Sequence, residues 1–282
     1  MTDRYVLSYV HLAPLLLARQ AGEAVARASL DLGLTTSEVI LEAGKAVFPD
    51  GQWLPWQAIE EIAEDESVCY ALEDDAAAKI QRFSELRNMV YVLMPTQRAP
   101  TVLVSGIQMH RVRDIDPWQD TVEKIRAVSP AQGRVLDTCT GLGYTAIAAA
   151  KTAREVITIE LDPDMLEMAR LNPWSRPLFE QAKIRQIVGD SYEEVEGFED
   201  ESFARIVHDP PMLTRAGELY SGEFYERLYR ILQDRGRLYH YVGDPESRSG
   251  RNTIRGVIRR LHDAGFDRVD TRARAFGVVA YK

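Results

Sequence analysis

Cysteine is scarce: only Cys69 and Cys139 occur in 282 residues, with no paired spacing. Neither a disulfide framework nor a thiolate zinc site is therefore there to organise the chain. Long apolar runs are missing too. The nearest, Leu12-Ala-Pro-Leu-Leu-Leu-Ala18, stops at Arg19, well short of the ~20 residues that span a bilayer. His11 and Pro14 interrupt that stretch, so it reads as a buried helix rather than a secretion signal. Basic residues are outnumbered, 34 Lys and Arg against 43 Asp and Glu, for a formal charge of −9. That balance argues against a generic binder of phosphate backbones. There are no repeats and no low-complexity tracts. What remains is a globular chain, 45% hydrophobic, expected in the cytoplasm with no membrane partner.

Its length fits one catalytic domain and an accessory one, and the motifs put the expected division at residues 1–113 and 114–282. The first part reads as a small α+β domain. Leu7–Ala26 has helical spacing, and strand-like runs follow at Ala28–Leu32, Val39–Ala43 and Lys45–Phe48. Trp56–Ala63 and Ala76–Leu86 read as helices, with strands at Val68–Leu72, Met89–Met94 and Thr101–Val104.

The stretch that organises the second part is Gly133–Ala146. Arg134–Asp137 reads as a short strand, Gly141 and Gly143 as a tight loop, and Tyr144–Ala153 as an Ala-rich helix. Strand, glycine turn and helix in that order form the first crossover of a nucleotide-binding sheet. Glycine lets the backbone approach a ligand, and a helix start offers unpaired N–H groups. Taken alone, Gly141-x-Gly143-x-x-Ala146 also fits a dinucleotide fingerprint. The next strand ends in Glu160-Leu161, where a carboxylate can take both hydroxyls of a ribose. A third predicted strand leads to Asp190-Ser191, and a fourth to Asp209-Pro210-Pro211. Two strands, Phe266–Arg272 and Phe276–Tyr281, close the chain after the helix Asn252–Ala264.

With these motifs in order, the chain resembles the class I S-adenosylmethionine (SAM)-dependent methyltransferases. Their Asp-x-Gly-x-Gly-x-Gly motif aligns on Asp137, Cys139, Gly141 and Gly143, with Cys139 in place of the first glycine. The resemblance implies an α/β fold: a Rossmann-like seven-stranded sheet with a smaller N-terminal α+β domain. It also implies a SAM site at Asp137, Gly141, Gly143, Tyr144, Thr145, Glu160, Leu161, Asp190 and Ser191, with Asp209 and Pro210 catalytic. Asp209-Pro210-Pro211 matches the motif of methyltransferases that act on amino nitrogens, although Met212 stands where base-modifying relatives carry an aromatic. His110-Arg111…Asp116-Pro117-Trp118, together with the central motif, looks like an archaeal-type predicted methyltransferase family often labelled spermine-synthase-like. That label implies a rival: aminopropyl transfer from decarboxylated SAM to a polyamine. The Gly-Gly-Gly-Asp-Gly run of such enzymes is absent. A non-catalytic SAM-binding module is a third reading.

The proline after Asp209 forces extended backbone and turns the carboxylate outward from the sheet edge. An amine held there keeps its lone pair aimed at the methyl group, and in-line displacement at a sulfonium needs orientation and no metal. Tyr220, Phe224 and Tyr225 are candidates for an aromatic wall around a cationic amine, though their spacing also fits plain core. His208 alternates to the face opposite Asp209 and reads as packing. His110 and Arg111 fit either a methionine carboxylate or a domain joint. Arg251, Arg255 and Arg259 share a helical face that reads as solvated, or as a phosphate track for RNA. The expected partner is a small amine acceptor. Whether the N-terminal domain recognises it or forms a homodimer stays open.

Overall fold

The structure is a computed structural model that describes residues 4–213 and 216–282, with the side chains of Arg248 and Ser249 outside the description. Thr214 and Arg215, three and four residues past Pro211, thus fall outside the described residues. Two units form: Met1–Trp118 with Asp164–Arg176, and Gln119–Pro163 with Pro177–Lys282.

In the first unit β1 (Tyr5–Leu7) leads to α1 (Tyr9–Gln20), which stops at Gly22, a residue in the left-handed region (φ 73°). Four strands follow, β2 (Val25–Ala28), β3 (Ser37–Leu41), β4 (Lys45–Val47) and β5 (Trp53–Pro55), paired in sequence order. Then come α2 (Trp56–Glu64), β6 (Tyr70–Glu73), β7 (Ala76–Lys79) and β8 (Gln81–Ser84), and last β9 (Met89–Met94), β10 (Thr101–Val104) and β11 (Ile107–Gln108). Leu12 and Leu15 of α1 and Ile59 and Ile62 of α2 bury their apolar faces against Val39, Ala46 and Leu54. Asp164–Arg176 belongs to this unit: Arg82 bonds the Asp164 carboxylate, and Trp174 Nε1 donates to the Leu32 carbonyl at 2.9 Å.

Two expectations fail here. The predicted helix Ala76–Leu86 is the strand pair β7 and β8. Asp74 and Asp75, both at positive φ (52° and 59°), make a hairpin turn that returns β7 along β6, pairing Tyr70 with Lys79. Cross-strand pairing outweighs the helix propensity of Ala-Ala-Ala-Lys. The predicted strand Ala28–Leu32 is in fact the end of β2 and a turn in which the Asp31 carboxylate takes the Thr35 N–H (2.8 Å) and hydroxyl (2.6 Å).

The second unit is built on one sheet. Its strands are β12 (Arg134–Asp137), β13 (Glu155–Glu160), β14 (Ile184–Val188), β15 (Phe203–His208), β16 (Leu232–Tyr241), β17 (Arg268–Arg272) and β18 (Gly277–Tyr281). They lie in the order β14-β13-β12-β15-β16-β18-β17, parallel from β14 to β16, with β18 antiparallel to its neighbours. Helix α3 (Pro117–Val128) leads into β12, and α4 (Tyr144–Ala150), α5 (Pro163–Leu171), α6 (Arg176–Glu180), α7 (Ser191–Glu194), α8 (Gly222–Ile231) and α9 (Arg248–Asp263) fall between the strands in sequence, α5 lying almost wholly in the first unit. Helix α8 starts where the Ser221 hydroxyl accepts from Phe224 N at 3.0 Å, and it buries Phe224, Tyr225, Leu228 and Ile231. The order reverses between β12 and β15. In open parallel sheets a ligand crevice opens at such a switch point, beyond the carboxyl ends of the strands. The expected seven-stranded class I sheet is present, with the smaller N-terminal sheets beside it in sequence. No helix among the described residues is long and apolar enough to cross a membrane.

Candidate functional site

Val135 and Leu136 are fully buried, which fixes β12 at the centre of the sheet. Its ladder runs on past Asp137, with Thr138 N donating to Val207 O (3.0 Å) and Thr140 N to Ile159 O (2.9 Å). The chain then turns through Gly141 (φ 52°) and Gly143 (φ 76°) into α4. Gly143 also packs tightly: a Cβ there would lie 2.6 Å from Leu178 Cδ2. Both requirements select glycine.

Beneath the loop runs a chain of hydroxyls. Thr145 donates to Asp137 Oδ1 (3.0 Å), Thr158 donates to Oδ2 (2.8 Å), and Thr140 lies 2.6 Å from the Thr158 hydroxyl. Asp137 is fully buried. Desolvation pushes its pKa up to about 7, helped by the Asp209 and Glu160 charges and opposed by the two threonines. Tyr144 and Thr145 are buried as well, so these three side chains pack behind the loop. Cys139 stands half-buried in the loop itself, and desolvation raises its thiol pKa.

Glu160 ends β13 and is anchored from both sides. Its Oε2 accepts from Gly141 N (2.8 Å) and its Oε1 from Asp162 N (3.1 Å). Leu161 follows, 37% exposed. Asp190 caps α7, taking the Tyr192 N–H on Oδ1 at 2.8 Å, and the Ser191 hydroxyl donates to the Thr138 carbonyl. The glycine loop, Glu160 and Asp190-Ser191 are therefore brought to one edge, at the carboxyl ends of β12, β13 and β14.

Asp209 ends β15 at the same edge and meets a group that sequence reasoning missed. Lys124 Nζ lies 2.6 Å from Asp209 Oδ2 and 3.0 Å from Asp120 Oδ2, and 4.8 Å from the centre of the Tyr241 ring. Lys124 is 4% exposed and Asp120 0%, while the Asp209 side chain keeps 18%. Among the described residues, Asp209 Oδ1 has no hydrogen-bond partner. Burial raises the Asp209 pKa, and Lys124 opposes that. Burial would lower the Lys124 pKa, but the Asp209 and Asp120 carboxylates outweigh it and raise it. Pro210 is buried behind Asp209.

The aromatic candidates lie deeper. Tyr220, Phe224 and Tyr225 are all buried, in the core cluster that packs on the sheet. Tyr220 donates its hydroxyl to the Pro211 carbonyl (3.1 Å), and Tyr225 pairs with His240 Nε2 (2.8 Å). Phe224 stacks on Tyr192 with centroids 5.9 Å apart. Tyr220 thus touches the Asp-Pro-Pro turn through its hydroxyl, while Phe224 and Tyr225 face the interior. His208 packs as expected. Its Nε2 donates to Leu219 O (2.9 Å) and its Nδ1 accepts from Thr138 (2.7 Å), and burial lowers its pKa to about 4. His110 lies in the first unit, its Nδ1 2.9 Å from the Thr101 hydroxyl. Arg251, Arg255 and Arg259 are exposed, whereas Arg260 turns inward and donates to Tyr220 O at 2.8 Å.

No protein-family model matches the chain. Over 114 residues it is 31% identical to polyamine aminopropyltransferase 2 of Streptomyces coelicolor, spanning 38% of this chain and 21% of that one. Among solved structures, a spermidine synthase in complex with the transition-state analogue AdoDATO matches with a TM-score of 0.58 at 18% identity, over 74% of this chain and 76% of that one. This is a likeness of fold, shared with that spermidine synthase. Over 286 residues the chain is 39% identical to the uncharacterised protein MJ1233 of Methanocaldococcus jannaschii, covering 100% of this chain and 96% of that one. A match of that depth along the whole length makes the chain a member of the MJ1233 family.

Proposed function

We propose that the protein is a transferase that alkylates an amino nitrogen from a SAM-type cofactor, with methyl as the group transferred. The observation that carries this reading is the half-engaged carboxylate of Asp209, with Oδ2 on Lys124 and Oδ1 open, at the strand end next to the glycine loop. The residues fit an adenosyl cofactor. Glu160, oriented by the Gly141 and Asp162 N–H groups, stands at the end of β13, where a carboxylate meets the hydroxyls of a ribose. Asp190 keeps Oδ2 for an adenine amino group while Oδ1 caps α7. When bound, the cofactor supplies an electrophilic carbon on a sulfonium. Asp209 holds an acceptor N–H at Oδ1 and offsets the positive charge that grows on nitrogen, a stabilisation larger in the transition state than before it.

Aminopropyl transfer from decarboxylated SAM is the second reading, and the electrostatics of the site favour it. The Asp209 and Glu160 charges help to raise the Asp137 pKa, the Asp120 charge helps to raise that of Asp209, and Lys124 is already engaged by Asp120 and Asp209. A polycation suits such a site, and the partial match to an aminopropyltransferase agrees.

The test is mass spectrometry of an amine panel incubated with enzyme and either methyl-labelled SAM or decarboxylated SAM. A mass gain of one methyl supports the first reading and one aminopropyl the second. Asp209→Ala should lower single-turnover rates by about two to three decades while SAM affinity by titration stays nearly intact. Normal turnover in that variant sinks the amino-nitrogen assignment.

A further inference from the structure

We propose that Lys124 is a positioning residue: its ammonium grips Oδ2 of Asp209 and leaves Oδ1 as the oxygen turned to the acceptor amine. This rests on the amino-nitrogen reading above and assigns the group that makes Asp209 competent for it. Lys124 and Asp120 stand one helical turn apart on α3, so the pair would be neutral without any third group. Lys124 nonetheless reaches Asp209, 85 residues away in sequence, by the shorter of its two contacts, 2.6 Å against 3.0 Å. A lysine 4% exposed forfeits its hydration, which is costly unless strong contacts replace it. Fixing one carboxylate oxygen also fixes the direction of the other, and orientation is most of what in-line transfer asks of a protein.

The grip also sets the charge state. Asp209 is faced by Lys124 and Asp120 from α3, by Asp137 from β12, by Cys139 from the glycine loop, by Tyr220 from the turn before α8 and, through Lys124, by Tyr241 from β16. Lys124 is the cation among them. Burial and the Asp120 charge favour a proton on Asp209, and Lys124 opposes it. An ionised Asp209 is the useful form, so activity should rise with pH through its pKa. Loss of Lys124 raises that pKa and moves the acid limb of the pH profile upward.

The experiment compares Lys124→Arg, Lys124→Met and the double variant Lys124→Met/Asp120→Asn, using full-length enzyme and whichever amine the mass-spectrometric screen yields. The double variant keeps the net charge of the Asp120–Lys124–Asp209 cluster and keeps the test alive should Lys124→Met fail to fold. Turnover should fall about 10–100-fold in Lys124→Met and stay low in the double variant, with KM and SAM affinity little changed. The acid limb of kcat/KM in Lys124→Met should move up by about one pH unit or more. Lys124→Arg should retain most of the rate and the original profile. Wild-type turnover and pH profile in the double variant would mean that Lys124 only neutralises Asp120, and would overturn the proposal. Asp209→Ala, measured alongside, separates the two claims. If it is inactive while Lys124→Met is normal, only the positioning role fails; if it is fully active, the amine-orienting reading itself fails.

Discussion

Asp137 opens the cofactor motif, yet its environment favours the neutral carboxyl. Asp137→Asn should therefore stabilise the protein at and above neutral pH. A carboxyl whose pKa rises from 3.8 to about 7 on folding holds its proton more tightly in the native state than in the unfolded chain. Below pH 4 both states are protonated and nothing is lost. As the pH climbs toward 7 the unfolded carboxyl ionises freely while the folded one resists, so stability falls, and it levels off above the folded pKa. At 1.36 kcal/mol per pH unit the loss reaches about 4 kcal/mol. Asparagine escapes it without leaving an orphan. Its Nδ2 can donate to the Thr158 hydroxyl, which then turns its own proton to Thr140, 2.6 Å away. Urea unfolding of both proteins at pH 5, 6, 7 and 8 is the assay, and the quantity of interest is their difference. Every other titrating group is common to both and cancels. The gap should widen from pH 5 to about pH 7 and then stay flat. Parallel stability curves, or an asparagine variant less stable at pH 8, would refute the reasoning.

Three further outcomes are expected. Glu160→Ala should weaken SAM binding by about one to two decades, because hydrogen bonds to a charged group contribute about 1.5–3 kcal/mol; calorimetric titration that finds wild-type affinity removes Glu160 from the site. Gly143→Ala should cost about 2–4 kcal/mol in chemical denaturation, combining a left-handed φ of 76° with a Cβ 2.6 Å from Leu178. Changing Arg251, Arg255 and Arg259 together to Glu should leave RNA binding as weak as before, in a chain of net charge −9; tight, salt-dependent RNA retention by the parent protein contradicts this.

The second unit was largely legible because its signals are local. The Gly141–Gly143 turn, for instance, marks the start of α4. Buried parallel strands such as Val135-Leu136 and Val156-Ile-Thr-Ile159 read as short apolar runs, and their periodicity needs no partner to be seen. The first unit is built from short antiparallel strands whose identity depends on what they pair with. Ala76-Ala-Ala-Lys79 has a good helical composition and is a strand only because β6 lies beside it. The clue was present in Asp74-Asp75, a turn pair, but composition alone gave no reason to prefer the turn over the helix.

The site divides along the same line. Motif residues at strand ends could be picked out one at a time, since a carboxylate after an apolar run is visible wherever it occurs. What each side chain does there depends on residues far away in the chain. Asp137 reads as a ligand for the cofactor until Thr145 and Thr158 are found on its two oxygens. Nothing in the sequence sets Asp120-x-x-x-Lys124 apart, because most acidic–basic pairs at that helical spacing are solvated and contribute only about a few tenths of a kcal/mol. Only the fold shows that this pair is buried and that Asp209 has come within 2.6 Å of it. Burial turns a weak surface contact into a strong one whose loss leaves a charge stranded. The same low-dielectric surroundings that make Lys124 hard to recognise in sequence are what let one ammonium set both the direction and the charge of Asp209.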